Sequence, residues 1–142
     1  MLTDRHWDDA TLLYKFLEVF YKAINVSSSS SRPNTPFVLH ELIIIGDVFK
    51  AYKHHQLLKG VVLSMLMKFL KYFYPLPHLY AFALLLDPRC RVKILTKFLK
   101  LLGKQLNKDY TSYMEGHKNA LQEVYKQYEL RFEGTSDVGL VE

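Results

Sequence analysis

The sequence predicts a mostly α-helical chain, a single multi-helix domain of about six helices, on three observations. Apolar residues recur at intervals of three and four over long stretches. Prolines and a serine-rich run punctuate those stretches where helices would end or begin. With 49% apolar and 14% aromatic residues, 142 positions can bury one real core.

Trp7 to Asn25 reads as the first helix, with Leu12, Leu13, Phe16, Leu17, Val19, Phe20, Ala23 and Ile24 forming a broad buried face. Asp8 and Asp9 suit its first turn. The run Ser27–Ser31, then Arg32 and Pro33, is a low-complexity break and reads as a flexible connector. Thr35-Pro36 restarts a helix, Thr as N-cap and Pro at the first helical position, where its missing N–H has no partner to lose. That helix should reach about Lys53, burying Phe37, Leu39, Leu42, Ile43, Phe49 and Tyr52. A third helix is expected from about His55 to Tyr74, stopped by Pro75 and Pro77. Ser64, Lys68 and Lys71 form its polar line, and Val61, Val62, Met65, Leu66, Phe69, Tyr72 and Phe73 its apolar faces.

His78 to Leu86 is nine residues long and nearly all apolar, so spacing alone leaves helix and strand open. Its alanines and leucines, and the want of a partner strand, favour helix. Asp87-Pro88 repeats the cap-then-proline device and should start a helix running to about Leu102, ending near Gly103. The last helix, Lys104 to Phe132, carries a near-heptad stripe from Leu106 through Tyr110, Tyr113, Met114, His117, Leu121, Val124, Tyr125 and Tyr128 to Phe132, with Gly116 a point where it could break. The domain is thus expected over 1–132 and a flexible tail over 133–142.

Charge is distributed unevenly. Residues 1–108 carry 16 Lys/Arg against 7 Asp/Glu, and 109–142 carry 3 against 7. Such asymmetry points to a polyanionic partner for the basic part. The sharpest signal is Arg89, Lys93, Lys97, Lys100 and Lys104, spaced 4, 4, 3 and 4 along one expected helical face, in a stretch with no acidic residue. Lysines so placed can neutralise phosphates and release counterions. The alternative is a solvated face whose opposite side (Ile94, Leu95, Phe98, Leu101, Leu102) packs on the core. Lys68 and Lys71 could contribute to the same surface.

Other chemistry finds little footing. The single Cys90 excludes an internal disulfide and paired-cysteine zinc sites, and fits a reducing compartment better than an oxidising one. Adjacent His54 and His55 point apart on a helix, and His6, His40 and His78 lack metal-ligand spacing to a partner. No three carboxylates fall where they would hold catalytic metals, and there is no glycine-rich phosphate loop. Apolar runs around Leu42–Ile45, Val61–Met67 and Leu79–Leu86 are too short to span a membrane, and no secretory signal is expected at the N-terminus.

Two phrases carry a further reading. Met65-x-x-Lys68-Phe69-x-Lys71-Tyr72-Phe73 precedes an apolar run that ends in Leu86-Asp87-Pro88-Arg89. In this order, behind a Trp-containing helix, a serine-rich link and a long helix, they resemble the hAT-like transposases and the RICESLEEPER-like, BED-finger proteins derived from them, from Trp7 to about Leu102. Phe73 stands where the family has Trp, Arg32–Pro36 keeps only the proline of its turn, and Cys90-Arg91-Val92 replaces its usual Tyr-Lys-Leu. These departures suggest a domesticated copy. The resemblance implies the helical segment associated with an RNase H-like transposase fold, acting on DNA in the nucleus. The family's acidic triad cannot be matched here, and Asp87 reads as a cap rather than a catalytic carboxylate. The expectation is therefore a non-catalytic DNA-binding domain, contacting phosphates through Arg89, Lys93, Lys97, Lys100 and Lys104 with help from Lys68 and Lys71. It should need no cofactor or metal and no membrane. Alternatively it is a helical interaction module, a homo-oligomer or a partner of a transposase-like protein, docking through the stripe from Leu106 to Tyr128.

Overall fold

A computed structural model of the chain describes residues 1–28 and 35–136. Among them are six α-helices and no strand: α1 (Asp4–Ser28), α2 (Thr35–Tyr52), α3 (Lys59–Phe73), α4 (His78–Leu86), α5 (Arg91–Leu106) and α6 (Met114–Ser136), with a 3-10 turn at Thr111–Tyr113. Ser27 and Ser28, expected in the break, belong to α1, their hydroxyls donating to the carbonyls of Ala23 and Ile24 at 2.8 Å. The rest of the serine-rich break at 29–34, the end of the tail at 137–142 and the side-chain cap expected of Thr35 lie outside what is described.

α1 begins a turn earlier than its apolar spacing indicates, because Thr3 and His6 cap it. The Thr3 carbonyl accepts the amides of His6 and Trp7, and the Thr3 amide donates to His6 Nδ1 at 3.1 Å. This is the back-reaching half of a capping box, with an imidazole in place of the usual carboxylate, while the Thr3 hydroxyl lies 2.9 Å from the same Nδ1. Asp4, rather than Asp8 or Asp9, stands in the first turn.

α2 is the hub, packing on α1, α3, α4 and α5. An aromatic chain runs through these contacts: Phe16 meets Tyr52 at 5.6 Å, Phe20 meets Phe49 at 5.7 Å, and Phe49 meets Phe69 at 5.6 Å between ring centroids. Phe69, Phe73 and Tyr80 extend it across α3 to α4. Tilted and edge-on pairs of this kind are worth about 0.5–1.5 kcal/mol each beyond their buried area. On the other side of the hub, Gly46 lets α5 approach: a Cβ there would stand 2.5 Å from Gln105 Oε1. Leu95, Leu99 and Leu102 of α5 are fully buried.

α4 is a helix over the nine residues whose spacing left the choice open. Elsewhere the ends shift. α3 starts at Lys59, not His55, because a turn from Lys53 to Leu58 delivers Leu58 into the core. Asp87-Pro88 does not open α5. Asp87 and Pro88 are the first two residues of a turn, the positions those residues also favour. The Asp87 carbonyl accepts from Cys90 and Arg91, and Arg91, the first residue of α5, sets the new direction at φ 52°. α5 runs past Gly103 to Leu106 and is ended by Asn107 in the left-handed conformation (φ 53°) that Asn tolerates better than most residues. Gly103 serves the return of the chain instead, since a Cβ would meet the Lys108 carbonyl at 2.6 Å. Gly116 does not interrupt α6. The single helix expected from Lys104 is in fact two, separated by a loop through Tyr110.

The core is smaller than the apolar pattern suggests. Leu39, Leu42, Phe49, Val62 and Phe69 are buried as expected, but Phe37, Val61 and Tyr72 are exposed. So are Leu13, Leu17 and Ile24 on α1, and Ile94 and Leu101 beside the buried face of α5. The stripe on α6 divides: His117 is buried and Met114 and Leu121 are half-buried, whereas every described side chain from Gln122 to Phe132 is exposed. The first half of α6 packs chiefly on α4.

Candidate nucleic-acid interface

α5 has two faces because its apolar and basic residues alternate with helical period. Leu95, Phe98, Leu99, Leu102 and Leu106 are buried, and Lys93, Lys97, Lys100 and Lys104 are exposed. At 3.6 residues per turn those lysines fall within about 60° of each other, opposite the buried face, and run about 16 Å along the axis. None takes part in an ion pair among the described residues, and α5 holds no Asp or Glu. The row is a line of four unneutralised cations on a rigid support.

Arg89 stands apart from the row. It lies in the turn before α5, where its Nε donates to Asp87 Oδ1 at 3.1 Å and a terminal nitrogen donates to Oδ2 at 3.0 Å. The Arg89 backbone amide donates to the same carboxylate at 2.9 Å. The Arg89 side chain first, and its amide second, hold the Asp87 carboxyl below the usual carboxylate range, and Asp87 in turn raises the Arg89 guanidinium. Asp87 is the tie of a turn, with both carboxylate oxygens accepting from Arg89. Lys68 and Lys71 are exposed on α3, which packs chiefly on α2 and shares no substantial interface with α5. Lys71 Nζ lies 5.9 Å from the Tyr72 ring centroid, and Lys68 borders an open apolar groove of about 730 Å³ lined by Phe20, Ile24, Phe69, Tyr72 and Leu79 among others.

The remaining polar groups serve structure. Asp109 caps the 3-10 turn, accepting from the Thr111 hydroxyl and from the Thr111 and Ser112 amides, which lower its pKa. Tyr110 is buried beside Tyr74, and burial pushes its phenol well above the usual range. His78 does have a partner, hidden from sequence by a separation of 39 positions: its Nδ1 lies 2.8 Å from His117 Nδ1. Burial, then the charge of His78, lowers the pKa of His117. No group of three or more His, Cys, Asp or Glu side chains among the described residues could hold a metal ion, and Cys90 is half-buried in the turn before α5. No helix among the described residues is long and apolar enough to cross a membrane.

Residues 37–128 match the family described as hAT-like transposase, RNase-H fold. The chain belongs to the hAT-like transposases. The match begins in α2 rather than at Trp7, so α1 lies before it, and it continues past Leu102 into α6 as far as Tyr128. All the strand-free helical body from α2 to α5 is hAT-like, the lysine row included. No curated protein and no solved structure matches the chain.

Proposed function

We propose that this hAT-like domain binds duplex DNA without sequence preference, through phosphate contacts made by Lys93, Lys97, Lys100 and Lys104. On this reading Arg89 flanks the site as a positioning residue tied to Asp87, and Lys68 and Lys71 are secondary contacts. The segment performs no catalysis and takes no cofactor, and its place of work is the nucleus. One observation carries the proposal: four exposed lysines lie in line, opposite a buried face, with no carboxylate to neutralise them. DNA presents one negative charge per about 1.7 Å of its axis, so a row about 16 Å long meets several phosphates at once.

Titration of a labelled duplex at several salt concentrations tests it. Four phosphate contacts give a log–log salt slope of about −3.6, a loss of roughly 150-fold between about 50 and 200 mM salt. Lys97→Glu with Lys100→Glu should cut that slope to about half. Binding and slope unchanged in that double variant would overturn the proposal. Metal-dependent nuclease activity lost in Asp87→Asn, with the fold intact, would overturn its non-catalytic part.

A second reading, a helical protein–protein interaction module docking on the rest of a transposase-like protein, draws on the outer half of α6, where Val124, Tyr125 and Tyr128 are exposed. Substituting these three with Ser should leave duplex affinity unchanged and abolish such docking.

A further inference from the structure

The outward face of α1 carries an apolar seam with a regular period. Trp7, Ala10, Tyr14, Leu17, Tyr21 and Ile24 follow one another at intervals of 3, 4, 3, 4 and 3, and all six are exposed. Trp7 is 62%, Tyr14 67%, Tyr21 66% and Ile24 62% exposed, although each is among the residue types that gain most from burial. The residues that hold α1 on α2 lie on the opposite side, at Leu12, Phe16, Val19 and Ala23. The seam is therefore not the core-facing stripe but a second one, with the alternation of a helix–helix seam.

We infer that a second copy of this chain covers the seam, α1 against α1, antiparallel about a two-fold axis between Tyr14 and Leu17. Two observations select this occupant. First, the seam fits itself when reversed: Trp7 comes opposite Ile24, Ala10 opposite Tyr21 and Tyr14 opposite Leu17, each a larger side chain against a smaller one, as interdigitation requires. A parallel pairing would stack Trp7 on Trp7 and leave Ala10 facing Ala10. Second, the area suffices. An aromatic side chain can bury roughly 150–250 Å², so Trp7, Tyr14 and Tyr21 with the neighbouring Leu13, Leu17 and Ile24 offer on the order of 700 Å² per copy, near the ~800 Å² a standard interface takes from each partner.

The contact is isologous and closes on itself, so it ends at the dimer. α1 is already folded against α2, and association need not order it first. The proposal is independent of the lysine row, because α1 lies outside the residues matched to the hAT-like family and on another element.

Sedimentation of the full chain from low micromolar to submillimolar concentration tests it, with Trp7, the only tryptophan, as a reporter. The expected result is a monomer–dimer equilibrium in which Trp7 emission shifts to the blue as dimer forms, and a weakening of at least about 100-fold in Leu17→Glu. Orientation is read by cross-linking in a Cys90→Ser background. Ala10→Cys with Tyr21→Cys should give a disulfide-linked dimer on oxidation, whereas Trp7→Cys alone should not, its two copies lying at opposite ends. A monomer at every concentration overturns the inference, as does a dimer insensitive to Leu17→Glu or a ready Trp7→Cys cross-link. If Leu17→Glu loses its helical circular dichroism, the cross-linking pair and the milder Tyr14→Ala decide the question.

Discussion

α1 and α5 both pack on α2 through apolar residues at helical spacing, Phe16 and Ala23 on α1 and Leu95, Phe98, Leu99 and Leu102 on α5, yet they present opposite surfaces to solvent. The outer face of α5 is four lysines and would be content in water. The outer face of α1 is tryptophan, tyrosine, leucine and isoleucine, which water does not favour. A buried face explains why a helix is in the fold, and it is much the same in both. The outward face is where they differ, and it is what separates a surface suited to a polyanion from one suited to another protein.

The comparison is sharpest in stability. Phe16→Ala and Leu99→Ala, on the two buried faces, should cost about 3–5 and 2–5 kcal/mol. Tyr14→Ala and Lys97→Ala, on the two outer faces, should stay within about 0.5 kcal/mol in urea titrations of dilute protein. Equal losses for Phe16→Ala and Tyr14→Ala would break the division of α1 into inner and outer faces. Smaller, and particular to the α5 side of the hub, is Gly46→Ala. The new methyl must displace the buried Gln105 amide, costing about 1–3 kcal/mol, and the added change Gln105→Ala should recover part of that loss.

α6 is a third case, packed by one half. Its His117 is buried neutral, with a pKa held below the ordinary histidine value of about 6.5. The unfolded chain therefore takes up this proton first as pH falls. The stabilisation is complete above about pH 6.5 and is lost as pH falls through the lower folded value, with a slope of at most about 1.4 kcal/mol per pH unit for one proton. His117→Phe should remove that component of the pH dependence, read from urea midpoints between about pH 7 and 5. The smallest effect belongs to Gly116→Ala. A Cβ there meets nothing within 4 Å, so the gain in helix propensity should stabilise by about 0.4–1 kcal/mol and raise Tm slightly.

Which residues form helices was largely legible, because spacing, prolines and alanine–leucine content act locally. Even the ambiguous stretch at His78–Leu86 resolved as its composition indicates. Ends were less legible where one signal has two meanings: Asp-Pro opens a helix or a turn, and only the Arg91 backbone decides. Burial was misjudged on α1 because its apolar residues cover two faces, and spacing does not say that α2 fills only one. The 3-4-3-4-3 series from Trp7 to Ile24 was present to be read, but it lay interleaved with the stripe around Phe16. In the lysine row the spacing of Lys93, Lys97, Lys100 and Lys104 carried through to the fold because one helix holds all four. Arg89 continues the same arithmetic across a turn that breaks it. The His78–His117 contact joins α4 to α6 and leaves no local trace.

The half-packed α6 has a consequence for how the chain comes apart. From Gln122 to Leu130 every side chain is exposed, and a free helix of about that length is marginal in water. Amides in this stretch should exchange with solvent orders of magnitude faster than those of α2 and α5. Trypsin should find Lys126 by local fraying alone, trimming the arm while the body held together by α2 stays folded.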